Sequence, residues 1–227
     1  MVRELGYHKS SVQRIVDTLE TEGFLARVMA DKITYRLGPE ILFLGNVAES
    51  KLDFKSVARP IMVHLVDQVH ETSYLCIVDQ YQCYYIEKVE CSQPIRTVHF
   101  LGQRNPLHCT GVGKVLLSGM TNDEIDRVIA ERGLKKYTPN TITNRNDLFK
   151  EIERVRNEGV AYDHEELNIG VKCIAAPVFD RAGRVVASIS ISGPVQRFVS
   201  EKIPFFELEI KAASDEISRA LGFSGSK

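Results

Sequence analysis

The sequence lacks a surplus of charge, an apolar run of membrane length and any paired-cysteine motif. Its 29 Lys and Arg are matched by 30 Asp and Glu, for a formal net charge of −1. That excludes a generally basic nucleic-acid coat, so any DNA contact must come from a local patch. No apolar stretch approaches the roughly 18 residues that cross a bilayer, and the N-terminus is polar, so a soluble, cytoplasmic chain with no membrane partner is expected. The five cysteines (Cys76, Cys83, Cys91, Cys109 and Cys173) are odd in number, with no CxxC pair. Reduced thiols in a cytosolic protein fit that pattern better than a disulfide framework. Cys76 and Cys83 lie in apolar runs and read as small core residues. What is present, 227 residues of which 44% are hydrophobic, suffices for one large domain and a small one.

The first 37 residues contain helix signals followed by a hairpin. Met1–Leu5 reads as the tail of a helix that stops at Gly6. A second helix starts near Lys9, with Val12, Ile15, Val16 and Leu19 at the spacing of one inward stripe. Its other face carries Lys9, Ser10, Ser11, Gln13 and Arg14, donors suited to phosphates and to base acceptors in the major groove. The segment after Gly23 alternates and turns at Ala30-Asp31-Lys32, the form of a short β-wing with Lys32 at its tip. An amphipathic helix and hairpin with solvated charges fits the same residues. A helix-turn-helix module also needs a preceding helix to close its core. Pro39–Ser50 is apolar and expected to be a connector helix that packs on a neighbouring subunit, which implies an oligomer.

From Phe54 the pattern is a helix toward His70, then strands SYLCIVD and CYYIEKV and a third strand-like run, IRTVHF. Helices follow at Gly111–Leu117, Asp123–Arg132 and Asp147–Glu158. Strands Val171–Phe179 and Val185–Ser192 and a helix from about Pro204 to Ala220 complete the chain. Adjacent short strands with helices grouped between them give the class α+β, an α/β sandwich built on an antiparallel sheet.

Two segments carry candidate chemistry. In LHCTGVGKVLL a helix starts after Thr110, so the N–H groups near Gly111 and Val112 lie at the positive end of a helix dipole and suit a carboxylate. Equally, Thr110 caps the helix and the glycines allow close packing. In GVAYDHEELNIGVKCIAAPVFDRAGRVVASISISGP, Val171 and Cys173 share one face of a strand and Ser190 and Ser192 one face of the next. That fits a pocket wall for something small and polar, or a hairpin whose serines face water. Asp163 could accept a hydrogen from a ligand hydroxyl, or cap a turn. With Glu165 and Glu166 it invites an acid–base reading, but no nucleophile accompanies them. His108, Cys109, Asp163, His164 and Cys173 match no recurrent metal-ligand spacing, so neither metal nor cofactor is expected.

The order LGYHKSSVQRIVDTLETEGFLAR, YRLGPEILFLG, LHCTGVGKVLL and the long C-terminal motif closely resembles the IclR family of bacterial transcription regulators over nearly the whole chain. The resemblance implies a winged helix-turn-helix over residues 1–37, a connector helix over 38–52 and a GAF-like effector domain over 53–227. It also implies DNA and small organic acids as partners, and homodimers or homotetramers. Carried over residue by residue, effector contacts fall on Gly111, Val112, Asp163, Val171, Cys173, Ser190 and Ser192, and DNA contacts on Lys9, Ser10, Ser11, Gln13, Arg14 and Lys32. Family members carry further residues ahead of Val2, including a first helix, so the module is expected to be short of that helix. The stretch Pro94–Asn105, which should help close over a ligand, is polar at Thr97 and Asn105 where an apolar patch is expected. Two alternatives to an effector-controlled regulator stand: a sensor that does not hold DNA, and a GAF-like thiol enzyme using Cys109 or Cys173.

Overall fold

The structure, a computed structural model, describes residues 6, 8–29, 33–44 and 54–225. The chain divides into two compact units, Met1–Asp53 and Phe54–Lys227.

In the first unit, helix α1 spans Lys9–Thr21 and buries Val12 and Val16. Ile15, expected on the same inward stripe, is 51% exposed. It lies beside Ser11, Arg14 and Thr18 on the outer face of α1, because one hundred degrees of rotation per residue carries it off the stripe that Val12 and Val16 define. No acidic side chain occupies the first turn. Strands β1 (Leu25–Val28) and β2 (Thr34–Leu37) pair antiparallel, Leu25 against Leu37 and Val28 against Thr34. The expected wing turn at Ala30–Lys32, and with it Lys32, lies outside the described residues, as does the helix tail at Met1–Leu5. Residues 40–44 are helical and are preceded by coil at Gly38 and a turn at Pro39; the rest of the expected connector, from residue 45, lies outside the described residues.

The second unit is built on a six-stranded antiparallel sheet in the order β5-β4-β3-β8-β7-β6. After helix α2 (Phe54–Val69), the strands are β3 (Thr72–Asp79), β4 (Gln82–Val89) and β5 (Arg104–Asn105), then β6 (Ala161–His164), β7 (Val171–Phe179) and β8 (Val185–Pro194). Helices α3 (Gly111–Ser118), α4 (Asn122–Arg132) and α5 (Arg145–Glu158) lie between β5 and β6, and α6 (Ile203–Ala220) follows β8. The alternation of each strand divides its side chains between two cores. Leu75, Ile174, Ala176, Ile189 and Ile191 pack with Met62 and Leu65 of α2 and with Phe206, Ile210 and Ile217 of α6. Tyr74, Cys76, Tyr85, Cys173 and Ala175 pack with Val115 of α3, Ile125 of α4 and Leu148 and Ile152 of α5. The class is α+β, as the sequence leads one to expect.

Local chemistry sets the helix starts. Thr121 and Glu124 form a reciprocal capping box, with Glu124 N–H donating to Thr121 Oγ1 and Thr121 N–H to the Glu124 carboxylate, so α4 opens one residue before Asp123. Asn144 Oδ1 accepts from Asp147 N–H at 2.9 Å, which starts α5 at Arg145 instead of Asp147. Two expectations for the strands are corrected. Ile95–Phe100 is not a strand; Tyr74 Oη donates to Thr97 O at 2.8 Å and accepts from His99 N–H at 3.2 Å, so a side chain replaces a sheet ladder there. The acidic turn contains a strand, β6, whose residues pair with Lys172–Ala175 at the edge of the sheet.

Candidate ligand site

The site follows from strand register. Asp163 of β6 stands opposite Cys173 of β7, Cys173 opposite Ser192 of β8, and Ser192 opposite Thr72 of β3. One step along, Ala161, Ala175, Ser190 and Tyr74 form a second row. Both rows point to the side of the sheet that carries α3. The N-terminus of α3 comes close to this face: a Cβ added to Gly111 would stand 3.0 Å from Cys173 Sγ and 3.4 Å from Ala175 Cβ. Thr110 caps the helix by accepting from Gly113 N–H at 3.0 Å, and Val112 N–H and the Ser190 hydroxyl are within hydrogen-bond reach of the Cys173 thiol.

Val112, Asp163, Val171, Cys173, Ser190 and Ser192, six of the seven residues singled out in the sequence for a ligand, line one pocket. Gly111 sits directly behind it against Cys173. Register puts Val171, Cys173, Ser190 and Ser192 on one wall. Tyr74, Tyr85, His99, Thr110, Leu167 and Asn168 complete the lining and were not read from the sequence. The tyrosines alternate in step with Cys76 and Cys83, a signal that was available; His99 lies on coil, which has no period to read. His99 packs over Tyr85 with centroids 4.9 Å apart and against Tyr74 at 5.1 Å, and the space left is about 20 Å³ for the centre of a water molecule. That is room for one water.

The pocket is electrostatically mixed. Asp163 is 5% exposed, and its Oδ1 accepts from Glu166 N–H at 2.7 Å. Burial, with a smaller contribution from the neighbouring Glu166 carboxylate, raises its pKa to about 7, so it carries a proton part of the time at neutral pH. Glu166 is held by Lys114 of α3, Nζ to Oε1 2.6 Å, and Lys114 also reaches Glu151 of α5 at 3.2 Å. Glu166 is thus half of a buried ion pair, and Glu165 stands at a positive-φ turn position (φ 63°). Burial lowers the pKa of His99 and so disfavours its charged form. Burial likewise raises the thiols of Cys109 and Cys173 well above the ordinary range. Among the described residues no group of three or more His, Cys, Asp or Glu side chains is placed to hold a metal ion.

The sequence matches the family described as bacterial transcriptional regulator IclR C-terminal over residues 47–219. The chain belongs to the IclR family of transcription regulators. Among IclR-type relatives, it is 32% identical over 224 residues to the HTH-type transcriptional regulator KipR of Bacillus subtilis (strain 168), covering 99% of this chain and 89% of that protein. It is 34% identical to the HTH-type transcriptional regulator KdgR of Escherichia coli (strain K12), covering 95% of this chain and 81% of that protein. The crystal structure of the Thermotoga maritima IclR superposes with a TM-score of 0.72 at 34% identity, over 98% of this chain and 89% of that one. In the first unit, Lys9, Ser10, Ser11, Gln13 and Arg14, the residues singled out in the sequence for DNA, are all exposed on α1. Gln13 Nε2 donates to Asp17 Oδ1 at 2.7 Å. Among the described residues no helix is long and apolar enough to cross a membrane.

Proposed function

We propose that the chain is an effector-controlled DNA-binding regulator, with a winged helix-turn-helix over residues 1–37, a connector over 38–52 and an effector domain over 53–227. In this reading a small organic acid enters the pocket between α3 and the sheet. Its carboxylate meets the N–H groups of Gly111 and Val112 and the hydroxyls of Ser190 and Ser192, while Asp163 engages a ligand hydroxyl or donates its own proton. Val171 and Cys173 form the wall. Lys9, Ser10, Ser11, Gln13 and Arg14 address phosphates and base edges, with Lys32 on the wing. The protein acts in the cytoplasm as a homodimer or homotetramer. Effector and operator affinities are linked, so the acid changes DNA affinity by the factor by which DNA changes acid affinity.

The observation that carries this reading is the meeting of the helix N-terminus with the row Asp163, Cys173 and Ser192 and with Ser190. A thiol-enzyme reading finds no support in thiols held protonated by burial. The test is thermal unfolding of the full chain against a set of small 2-oxo and 2-hydroxy acids. An acid that binds only folded protein at one hundred times its Kd adds about 2.7 kcal/mol and raises Tm. The double substitution Ser190→Ala with Ser192→Ala should remove that rise. If no acid raises Tm, or the double variant responds like the parent, the reading fails.

A further inference from the structure

The pocket around Asp163 is not isolated. His99, Asn168 and Val171 line both it and a second, outer cavity, which extends past Ile95, Val98 and Pro194. By the measure that gives the inner space about 20 Å³, the outer one has about 450 Å³. The inner space as it stands admits a water and nothing larger, so an organic acid must displace part of its lining. His99 lies on coil, tied to the sheet through its backbone N–H to Tyr74 Oη at 3.2 Å, whereas Tyr74 and Tyr85 stand on paired strands with hydroxyls engaged by Thr97 O and by Asn105 Nδ2 at 3.2 Å. Moving the His99 ring off Tyr85 takes away the wall shared by the two spaces and makes them one.

The merged cavity is polar at its inner end and mixed at its outer end. Asp163, Ser190 and Ser192 stand at the inner end; Ile95, Val98, Val171 and Pro194 give the outer end an apolar wall, beside Arg96, Thr97 and Gln196. Ile95 and Val98 are 73% and 51% exposed, so a ligand chain laid along them removes apolar surface from water. A two- or three-carbon acid gives up the stacking of His99 on Tyr85 and covers none of that surface. A longer acid gives up the same stacking and replaces it.

We propose that this site takes amphipathic carboxylic acids, with the carboxylate beside Asp163, Ser190 and Ser192 and an apolar tail passing the displaced His99 into the cavity bounded by Ile95, Val98 and Pro194. This rests on the acid-binding reading of the inner pocket. The probes are pyruvate and 2-oxooctanoate, which share a head group and differ in the tail, titrated calorimetrically into the full chain. The expected result is an affinity about tenfold or more higher for 2-oxooctanoate, with Val98→Trp, which fills the outer cavity, bringing the two affinities together. Equal affinities in the parent, or a tail advantage that survives Val98→Trp, overturn the tail site and leave the inner pocket standing. If neither acid binds while the protein is folded, the acid reading falls and this proposal with it.

Discussion

Asp163 is the residue on which the chemistry of the site turns. Its folded-state pKa of about 7 lies above the unfolded value of about 3.9. The protonated form is therefore favoured by folding, and the stability it contributes is full below about pH 4 and lost as pH rises through about 7. Asp163→Asn should flatten this slope and stabilise the ligand-free protein at pH 8 by roughly 2–4 kcal/mol, read from urea unfolding at a series of pH values. The same proton bears on the ligand, because a carboxylate beside ionised Asp163 is repelled and beside protonated Asp163 is bonded. Acid affinity should therefore rise as pH falls from about 8 to about 6, with proton uptake seen in calorimetry with buffers of different ionisation enthalpy, and Asp163→Asn should abolish both effects. Lys114 supports Asp163 from behind. With its side chain 1% exposed against Glu166 at 5%, Lys114→Met would leave Glu166, whose Oε2 already has no hydrogen-bond partner, buried and unpaired. The expected cost is about 3–5 kcal/mol, read from urea unfolding.

Among the elements, α3 and the four strands around it do the positioning. The sequence shows much of this directly: β7 runs from Val171 to Phe179, the bounds its apolar composition implies, and two-residue spacing picks out Cys173, Ser190 and Ser192. Their convergence on one pocket depends on register, which pairs Asp163 with Cys173 and Cys173 with Ser192 and which no local pattern displays. The strand Ala161–His164 is hidden for a related reason: Asp163 and His164 are poor strand formers, and pairing with β7 overrides their preference. The Lys114–Glu166 contact spans 52 residues and leaves no trace in either segment alone. Gly113, read in the sequence as a glycine that allows close packing, has that steric role, since an added Cβ would stand 2.1 Å from Leu107 O. Gly113→Ala should therefore destabilise the chain by about 3 kcal/mol or more in urea unfolding, well beyond an ordinary overpacked site.

For the whole molecule, near-neutral charge makes DNA binding a matter of placement. The N-terminal turn of α1 has no acidic side chain, so Lys9 presents positive charge where the helix dipole adds to it, with exposed Arg14 on the next turn. Arg14→Ala should weaken DNA binding across sequences and lower the salt slope by about one. The central claim is that acid in one unit governs DNA affinity in the other. It is tested most directly by fluorescence anisotropy of the full chain on a labelled fragment of its own upstream DNA at low salt, with and without saturating 2-oxo acid. The account expects a specific complex whose midpoint shifts at least about fivefold, the lower range of allosteric coupling, with no shift in the Ser190→Ala, Ser192→Ala double variant. A complex whose midpoint ignores every acid that raises Tm, or no complex with folded protein, would contradict it.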